Sequence, residues 1–376
     1  RILVVISFIL AFMCAISASI IFGIIPFQWI SSSLGKFINE EYIWLIPLAI
    51  FSLASFSIVQ NWYTRLQKFK FIASIRVLQA SSASGAQLFM GLLGLGPLGL
   101  ILGSLCNSII GALAMGGSML KTKIIKGIKI SQFADVANNN KNFPKYSTWE
   151  ALFNSGAIQV PILIIAAVGI GPEAGYLAIS MYMLQVPMVL VGNSVGQIYY
   201  SEAPKAYREG SLSEFNLLML KRLSTLGVGP LIFAGIISPS VFIWIFGAEW
   251  ARAGEMVRFM TPWFILQFMT SSLSLAFTTI GRQKLGSKLQ ASGLVIRAGL
   301  VTLAAFLFPE YLVEVFALSG AIFYGYYLIA IFKVIYTPSL LVLKAFVGNF
   351  WVTVLWIILG VLVLLFIPFF EELVFL

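Results

Sequence analysis

Residues 61–103, NWYTRLQKFKFIASIRVLQASSASGAQLFMGLLGLGPLGLILG, carry the pattern that decides the fold. A basic segment from Arg65 to Arg76 leads into an apolar run, a Gly-Pro turn at Gly94–Pro97 and the start of another apolar run. About 20 apolar residues in a helix span the roughly 30 Å of a bilayer's hydrocarbon core. The stretch therefore predicts a hairpin of two membrane-spanning helices whose basic segment lies on one side of the membrane.

The same pattern repeats along the whole chain, which is 60% hydrophobic and only 10% charged. We predict an all-α polytopic membrane protein with about eleven transmembrane helices. In the longest run, Gly227, Gly229 and Pro230 predict a bend or an extension beyond the bilayer. The predicted runs are residues 2–24, 42–60, 73–93, 97–119, 149–169, 174–198, 216–245, 257–280, 289–308, 312–335 and 347–368.

Basic residues cluster in every second connection between these runs. With Arg1 in the cytoplasm, all but four of the 24 Lys and Arg residues fall on the cytoplasmic side; the exceptions are Lys36, Arg252, Arg258 and Arg297. Cytoplasmic loops of membrane proteins are enriched in Lys and Arg. The net charge of +10 therefore predicts contacts with anionic membrane lipids and not with nucleic acid.

Tryptophans fall close to the ends of several predicted runs. Interfacial belts of Trp and Tyr mark the two surfaces of a membrane. We therefore assign Trp29, Trp44, Trp250, Trp263 and Trp351 to such belts. Between the seventh and eighth runs, acidic and basic residues alternate at spacings of three, which predicts a salt-bridged helical cap; they are Glu249, Arg252, Glu255 and Arg258.

The residues that enzymes use are scarce. The chain has no His and two Cys, Cys14 and Cys106, both in apolar runs, which argues against a metal or haem site. No glycine loop followed by Lys-Ser/Thr is present, so ATP hydrolysis is not expected. The longest polar loop, residues 121–148, contains a single acid, Asp135. We expect no catalytic activity and no cofactor, although a membrane polymerase or glycosyltransferase remains the alternative of another class.

Arg297 is the most informative single residue. It follows Lys288 by nine positions, which places it roughly 13 Å into the membrane at 1.5 Å per residue. A cation at that depth is costly and normally faces a watery cavity or a partner. We therefore predict that Arg297 contacts an anionic substrate such as a lipid diphosphate. The alternatives are that it snorkels to the surface or forms a structural pair.

Polar residues also follow one face of several predicted helices. Arg76, Gln79 and Gln87 share a face of the third run at helical spacing. Such a face lines a hydrophilic cavity or makes hydrogen bonds between helices, and both interpretations stay open. By the same reasoning, further candidate substrate-binding residues are Asn154, Gln185, Asn193 and Gln197.

Two stretches resemble a known family. One is residues 61–103, and the other is residues 141–210, with the motifs FPKYS and VPMVLVGNSVGQ. They are similar to the polysaccharide transporter family, the O-antigen and capsule flippases of the multidrug/oligosaccharidyl-lipid/polysaccharide exporter superfamily. The resemblance implies two pseudo-symmetric helical lobes and a chain that lacks the first two helices. The lobes would be residues 1–120 and 149–336, joined by a cytoplasmic loop, 121–148, and followed by an additional helix in 337–376.

The resemblance also implies a function. Family members move an undecaprenyl-diphosphate-linked oligosaccharide across the bacterial inner membrane by alternating access, beside other polysaccharide-assembly proteins. Coupling to H⁺ or Na⁺ would fit such a carrier. The alternative within the same fold is a multidrug or small-molecule cation-coupled antiporter. That antiporter would need a buried acidic residue, and the predicted runs contain none near mid-depth.

Overall fold

The computed structural model describes residues 2–24, 42, 44–120, 136, 148–169, 172–348 and 350–374. These residues form helices and, within those ranges, no strands. Each of the predicted apolar runs corresponds to one helix or, for 216–245 and 257–280, to two successive helices. The all-helical, polytopic prediction is confirmed. The chain divides into two compact units, residues 1–141 and 142–376.

The first unit contains four long helices in its described part. They are α1 (Ile2–Ile24), α2 (Leu45–Arg65), α3 (Phe69–Leu92) and α4 (Gly96–Leu120). Helix α2 packs against α1 and α4, and α3 packs against α4. A hydrophobic cluster between these helices contains the buried side chains Val59, Tyr63, Ile72, Met115 and Met119. The Tyr63 hydroxyl donates to the Met115 carbonyl over 3.4 Å.

The α3–α4 hairpin has the predicted glycine turn. Gly94 and Gly96 adopt φ of +76° and +49°, the left-handed region that glycine enters at little cost. After the turn, Gly99 lies so close to α3 that a Cβ on it would be 2.9 Å from the Met90 Cβ. Gly103 makes the same close approach to Gln87. Small residues let membrane helices come together, so Gly99 and Gly103 bring α3 and α4 into close contact.

The helices of the second unit are α5 (Thr148–Val168), α6 (Glu173–Arg208), α7 (Leu212–Leu223), α8 (Gly229–Phe246), α9 (Ala251–Leu273), α10 (Ala276–Thr279), α11 (Gln283–Leu307), α12 (Leu312–Val334), α13 (Ser339–Val347) and α14 (Phe350–Val374). The unit is built around α9, which packs against α6, α8 and α12. Its side chains Met256, Met260, Phe264 and Phe268 are buried.

The predicted run 216–245 is interrupted, as its glycines and proline indicate. A π-helical turn, Ser224–Val228, separates the amphipathic α7 from the apolar α8. Together they form a candidate span of 35 residues, Leu212–Phe246. At 1.5 Å per residue this is about 50 Å, well beyond the hydrocarbon thickness. The length and the π-helical turn agree with the expectation of a bend or an extension beyond the bilayer, which stays a prediction.

The last helices of the described chain lie along α7 and α8. The Trp356 ring covers Gly229 and lies 5.5 Å from the Phe233 ring. The Ser224 hydroxyl donates to the Phe346 carbonyl in α13 over 3.0 Å. Helices α13 and α14 are thus integrated into the second unit.

Seven described helices are long and apolar enough to cross a membrane, or eight if α13 and α14 form one bent span. Helices α3, α6 and α9 correspond to predicted runs but are more polar, with 24, 36 and 23 residues. At these lengths each helix can still span a bilayer, although it is not uniformly apolar. The chain is a multi-pass membrane protein.

Candidate functional site

Arg297 lies in α11 with 0% of its surface exposed, among the aromatic rings of two neighbouring helices. Its guanidinium carbon is 5.2 Å from the Trp263 ring of α9. On α12 it is 4.8 Å from the Phe323 ring and 4.6 Å from the Tyr324 ring. We call these three rings the Arg297 cage. Each contact of this kind contributes on the order of 1–2 kcal/mol when water is excluded.

Two glycines make room for the walls of the Arg297 cage. A Cβ on Gly293 would lie 2.6 Å from Phe323 Cε2, and one on Gly320 would lie 2.6 Å from Trp263 Cγ. Real Cβ atoms essentially never come this close to another atom. The rings therefore occupy the volume that a side chain would take, and the helices pack at backbone distance.

The hydrogen bonds of Arg297 are incomplete. One Nη donates to the carbonyl of Ala157 in α5 over 3.4 Å. Its Nε and the second Nη have no aligned acceptor, and no carboxylate in the described part of the chain forms an ion pair with it. The expectation that Arg297 faces a watery cavity is therefore not met in this conformation, because aromatic rings and a carbonyl surround it. Its contact with a substrate stays a prediction.

Trp263 corrects another expectation. The sequence places it near the start of a run and hence in an interfacial belt. The helix begins earlier, at Ala251, so Trp263 lies more than three turns inside it and is completely buried. Sequence reasoning missed the Arg297 cage because its rings come from separate helices. The one partial signal is in the run 312–335, where Phe323 and Tyr324 lie between Gly320 and Gly325.

The polar face of α3 divides between the interior and the surface of the first unit. Gln79 is buried, and its amide donates to the Asn107 carbonyl of α4 over 2.8 Å. Gly111 permits this approach, since a Cβ there would lie 2.6 Å from the Gln79 amide carbon. Gln79 thus bridges two helices and does not line a cavity here. Gln87 is half-buried and Arg76 is exposed.

The candidates on α5 and α6 lie at the surface of the second unit. Asn154 and Gln185 are both exposed. Asn154 is one helical turn from Ala157, so it lies on the part of α5 that Arg297 contacts. The side chains of Asn193 and Gln197 lie outside the described residues, although their backbones belong to α6. The substrate-binding roles of these residues stay predictions.

Arg252 is the centre of an ion network at the start of α9. It pairs with Glu255 within the helix at 3.4 Å, as the alternating charges predict. It also pairs with Glu173 of α6 at 3.1 Å and with Glu314 of α12 at 2.8 Å. The network therefore joins three helices. The sequence pattern indicated the local pair alone, because the other partners are distant along the chain.

A profile of the polysaccharide biosynthesis protein family matches residues 4–255, more than half of the chain. The chain belongs to this family. Both stretches from which the resemblance was inferred, 61–103 and 141–210, lie inside the matched region. The predicted membership of a polysaccharide transporter family is confirmed.

The fold is also that of a solved membrane protein. The structure titled "Lipid II flippase MurJ, inward closed conformation" matches with a TM-score of 0.59 and 15% sequence identity. The match covers 90% of this chain and 74% of that one. At this identity the similarity shows a shared fold. No curated protein matches the chain.

Proposed function

We propose that the protein is a flippase that moves an undecaprenyl-diphosphate-linked oligosaccharide, an O-antigen or capsule repeat unit, across the bacterial inner membrane. The observation that carries the proposal is the coincidence of family and fold. A polysaccharide biosynthesis family covers residues 4–255, and a lipid II flippase has the same helical architecture. Alternating access moves the headgroup, and the lipid tail stays in the bilayer. No covalent step is required.

The charges of the described chain support an anionic substrate over a cationic one. Arg297 is the one charged side chain that is fully buried among the residues the structure describes, and no Asp or Glu there is buried. A drug antiporter coupled to cations needs a buried acid. A diphosphate needs cations and hydrogen-bond donors instead.

We assign the remaining details to the same proposal. The first residues lie in the cytoplasm, because the basic loops then face inward. Movement of H⁺ or Na⁺ drives the cycle, and neighbouring polysaccharide-assembly proteins deliver or receive the repeat unit. As the headgroup passes, its phosphates and sugars contact four polar side chains. They are the exposed Arg76, Asn154 and Gln185 and the half-buried Gln87.

The test is a flipping assay with the full-length protein in proteoliposomes. A fluorescent oligosaccharide on undecaprenyl diphosphate should become accessible to a membrane-impermeant quencher, and the same sugar on undecaprenyl monophosphate should cross more slowly. Equal rates with protein-containing and empty vesicles would refute the proposal.

Arg76 offers a matched test of the contact residues. Arg76→Ala should slow flipping by about tenfold, the factor for one lost charge-assisted hydrogen bond. Arg65→Ala is the control, because Arg65 is equally exposed in the same unit but lies off the polar face of α3. The same rate for both variants would remove Arg76 from the substrate path.

A further inference from the structure

Helix α5 contains a proline in its interior, Pro161. Proline has no N–H, so it cannot donate the helical hydrogen bond to the carbonyl four residues earlier. In α5 that carbonyl belongs to Ala157. Ala157 is buried with 1% of its surface exposed, so water does not replace the missing donor. A buried carbonyl without a donor is costly, and such groups are almost always paired.

The missing donor comes from a residue 140 positions away. The Nη of Arg297 that donates to protein lies 3.4 Å from the Ala157 oxygen, and the Arg297 cage holds the guanidinium at that place. We propose that Arg297 is a positioning residue, which fixes α5 to α11 by occupying the carbonyl that Pro161 leaves free. This role does not require Arg297 to touch a substrate.

The packing of the residues that precede Ala157 in α5 agrees with this role. Gly286 of α11 lies against Glu150 in the first turn of α5, where a Cβ would be 3.2 Å from the carboxylate oxygen. Further along, Gly156 lies against Leu294, since a Cβ on this glycine would be 3.5 Å from a methyl group of the leucine. The hydrogen bond therefore lies within a close interface of the two helices. Among the described residues, Arg297 makes the one side-chain hydrogen bond that runs from α11 to the backbone of α5.

A second proline in the same unit follows the same rule. Pro239 in α8 frees the carbonyl of Gly235. The Ser238 hydroxyl lies 3.2 Å from that oxygen and 2.9 Å from the Gly254 carbonyl of α9. A side-chain donor thus lies at the freed carbonyl in both helices, and in α8 its single proton is shared with the Gly254 carbonyl. Pro239 is the matched control, because its partner is Ser238 and not Arg297.

The experiment is a double-mutant cycle on the purified full-length protein without substrate. Arg297→Met removes the donors and should lower the unfolding midpoint by about 3–12 °C. Pro161→Ala restores the N–H to Ala157, so Arg297→Met should lower the midpoint by a smaller amount in that background, where only the ring contacts are lost. With Pro239→Ala it should lower the midpoint by the full amount. Equal losses in all three backgrounds would overturn the proposal.

Hydrogen–deuterium exchange gives a readout that survives if a proline variant fails to fold. Arg297→Met should raise deuterium uptake in the α5 peptides around Ala157, and Arg297→Lys, which retains a donor, should restore part of the protection. Unchanged uptake in α5 would overturn the positioning role. This measurement uses no lipid-linked sugar, so its failure is distinct from a failure of the flippase proposal on which the role in transport rests.

Discussion

Replacing Gly320 by alanine should push Trp263 out of the Arg297 cage. A Cβ on Gly320 would lie 2.6 Å from Trp263 Cγ and 2.8 Å from Cε2. Trp263 is fully buried, so the ring cannot simply move out into solvent. Either α12 moves away from α9 or the ring turns, and both changes separate the ring from Arg297.

The magnitude follows from a comparison within the same helix. Overpacking a filled interior costs about 1–3 kcal/mol. Alanine also favours a helix over glycine by about 1 kcal/mol, which masks part of that cost. Gly325 is the control, since a Cβ there would have Leu266 at an ordinary 3.8 Å. Gly325→Ala gains the same helix propensity without the overlap, so the difference between the two variants isolates the overpacking.

The assay is thermal unfolding of the two variants in one detergent at one scan rate. A difference of 1–3 kcal/mol corresponds to about 2–12 °C for a unit of this size. The Gly320→Ala midpoint should lie below that of Gly325→Ala by this amount, and tryptophan fluorescence should shift in Gly320→Ala alone. If the two midpoints coincide, α9 and α12 are not packed at backbone distance and the Arg297 cage is wrongly described.

Two further predictions concern the ion network and the topology. Arg252→Met should destabilise the protein by about 1–2 kcal/mol, because it removes two interhelical pairs whose side chains are only about a quarter exposed, whereas Glu255→Gln, which loses the helical pair alone, should cost about 0.3–0.5 kcal/mol; similar losses in thermal unfolding would contradict the three-helix network. With Cys14 and Cys106 replaced by serine, single cysteines at positions Ser131 and Tyr311 should react with an impermeant thiol reagent from opposite sides of the membrane. Tyr311 is exposed, and Ser131 lies outside the described residues; labelling from one side would contradict the predicted order of helices.

The helices could be predicted because each needs only local information. A run such as 97–119 is long and apolar, and the φ angles of Gly94 and Gly96 follow from the Gly-Pro turn before it. The depth of Arg297 in the membrane rests on a similar local count from Lys288 and stays a prediction. These features depend on hydrophobicity, helix geometry and glycine's freedom, all of which act over short distances along the chain.

The surroundings of Arg297 and Gln79 could not be predicted in the same way. Gln79 had equal reasons to line a cavity or to bond a neighbour, and Gly111 on another helix decided between them. The rings around Arg297 come from α9 and α12, whose register against α11 no single segment encodes. The partner of Pro161 lies 140 residues away. Side-chain environment in a helical bundle depends on which helices meet, and that information is distributed over the whole chain.

The groove at Gly229 has a consequence for biosynthesis. Trp356, which fills it, belongs to the last described helix and leaves the ribosome more than a hundred residues after Gly229. At the usual 5–20 residues per second, α8 waits roughly 6–25 s before its cover arrives. During that interval Gly229 lacks its cover, and a gene shortened before residue 350 would never supply the Trp356 ring.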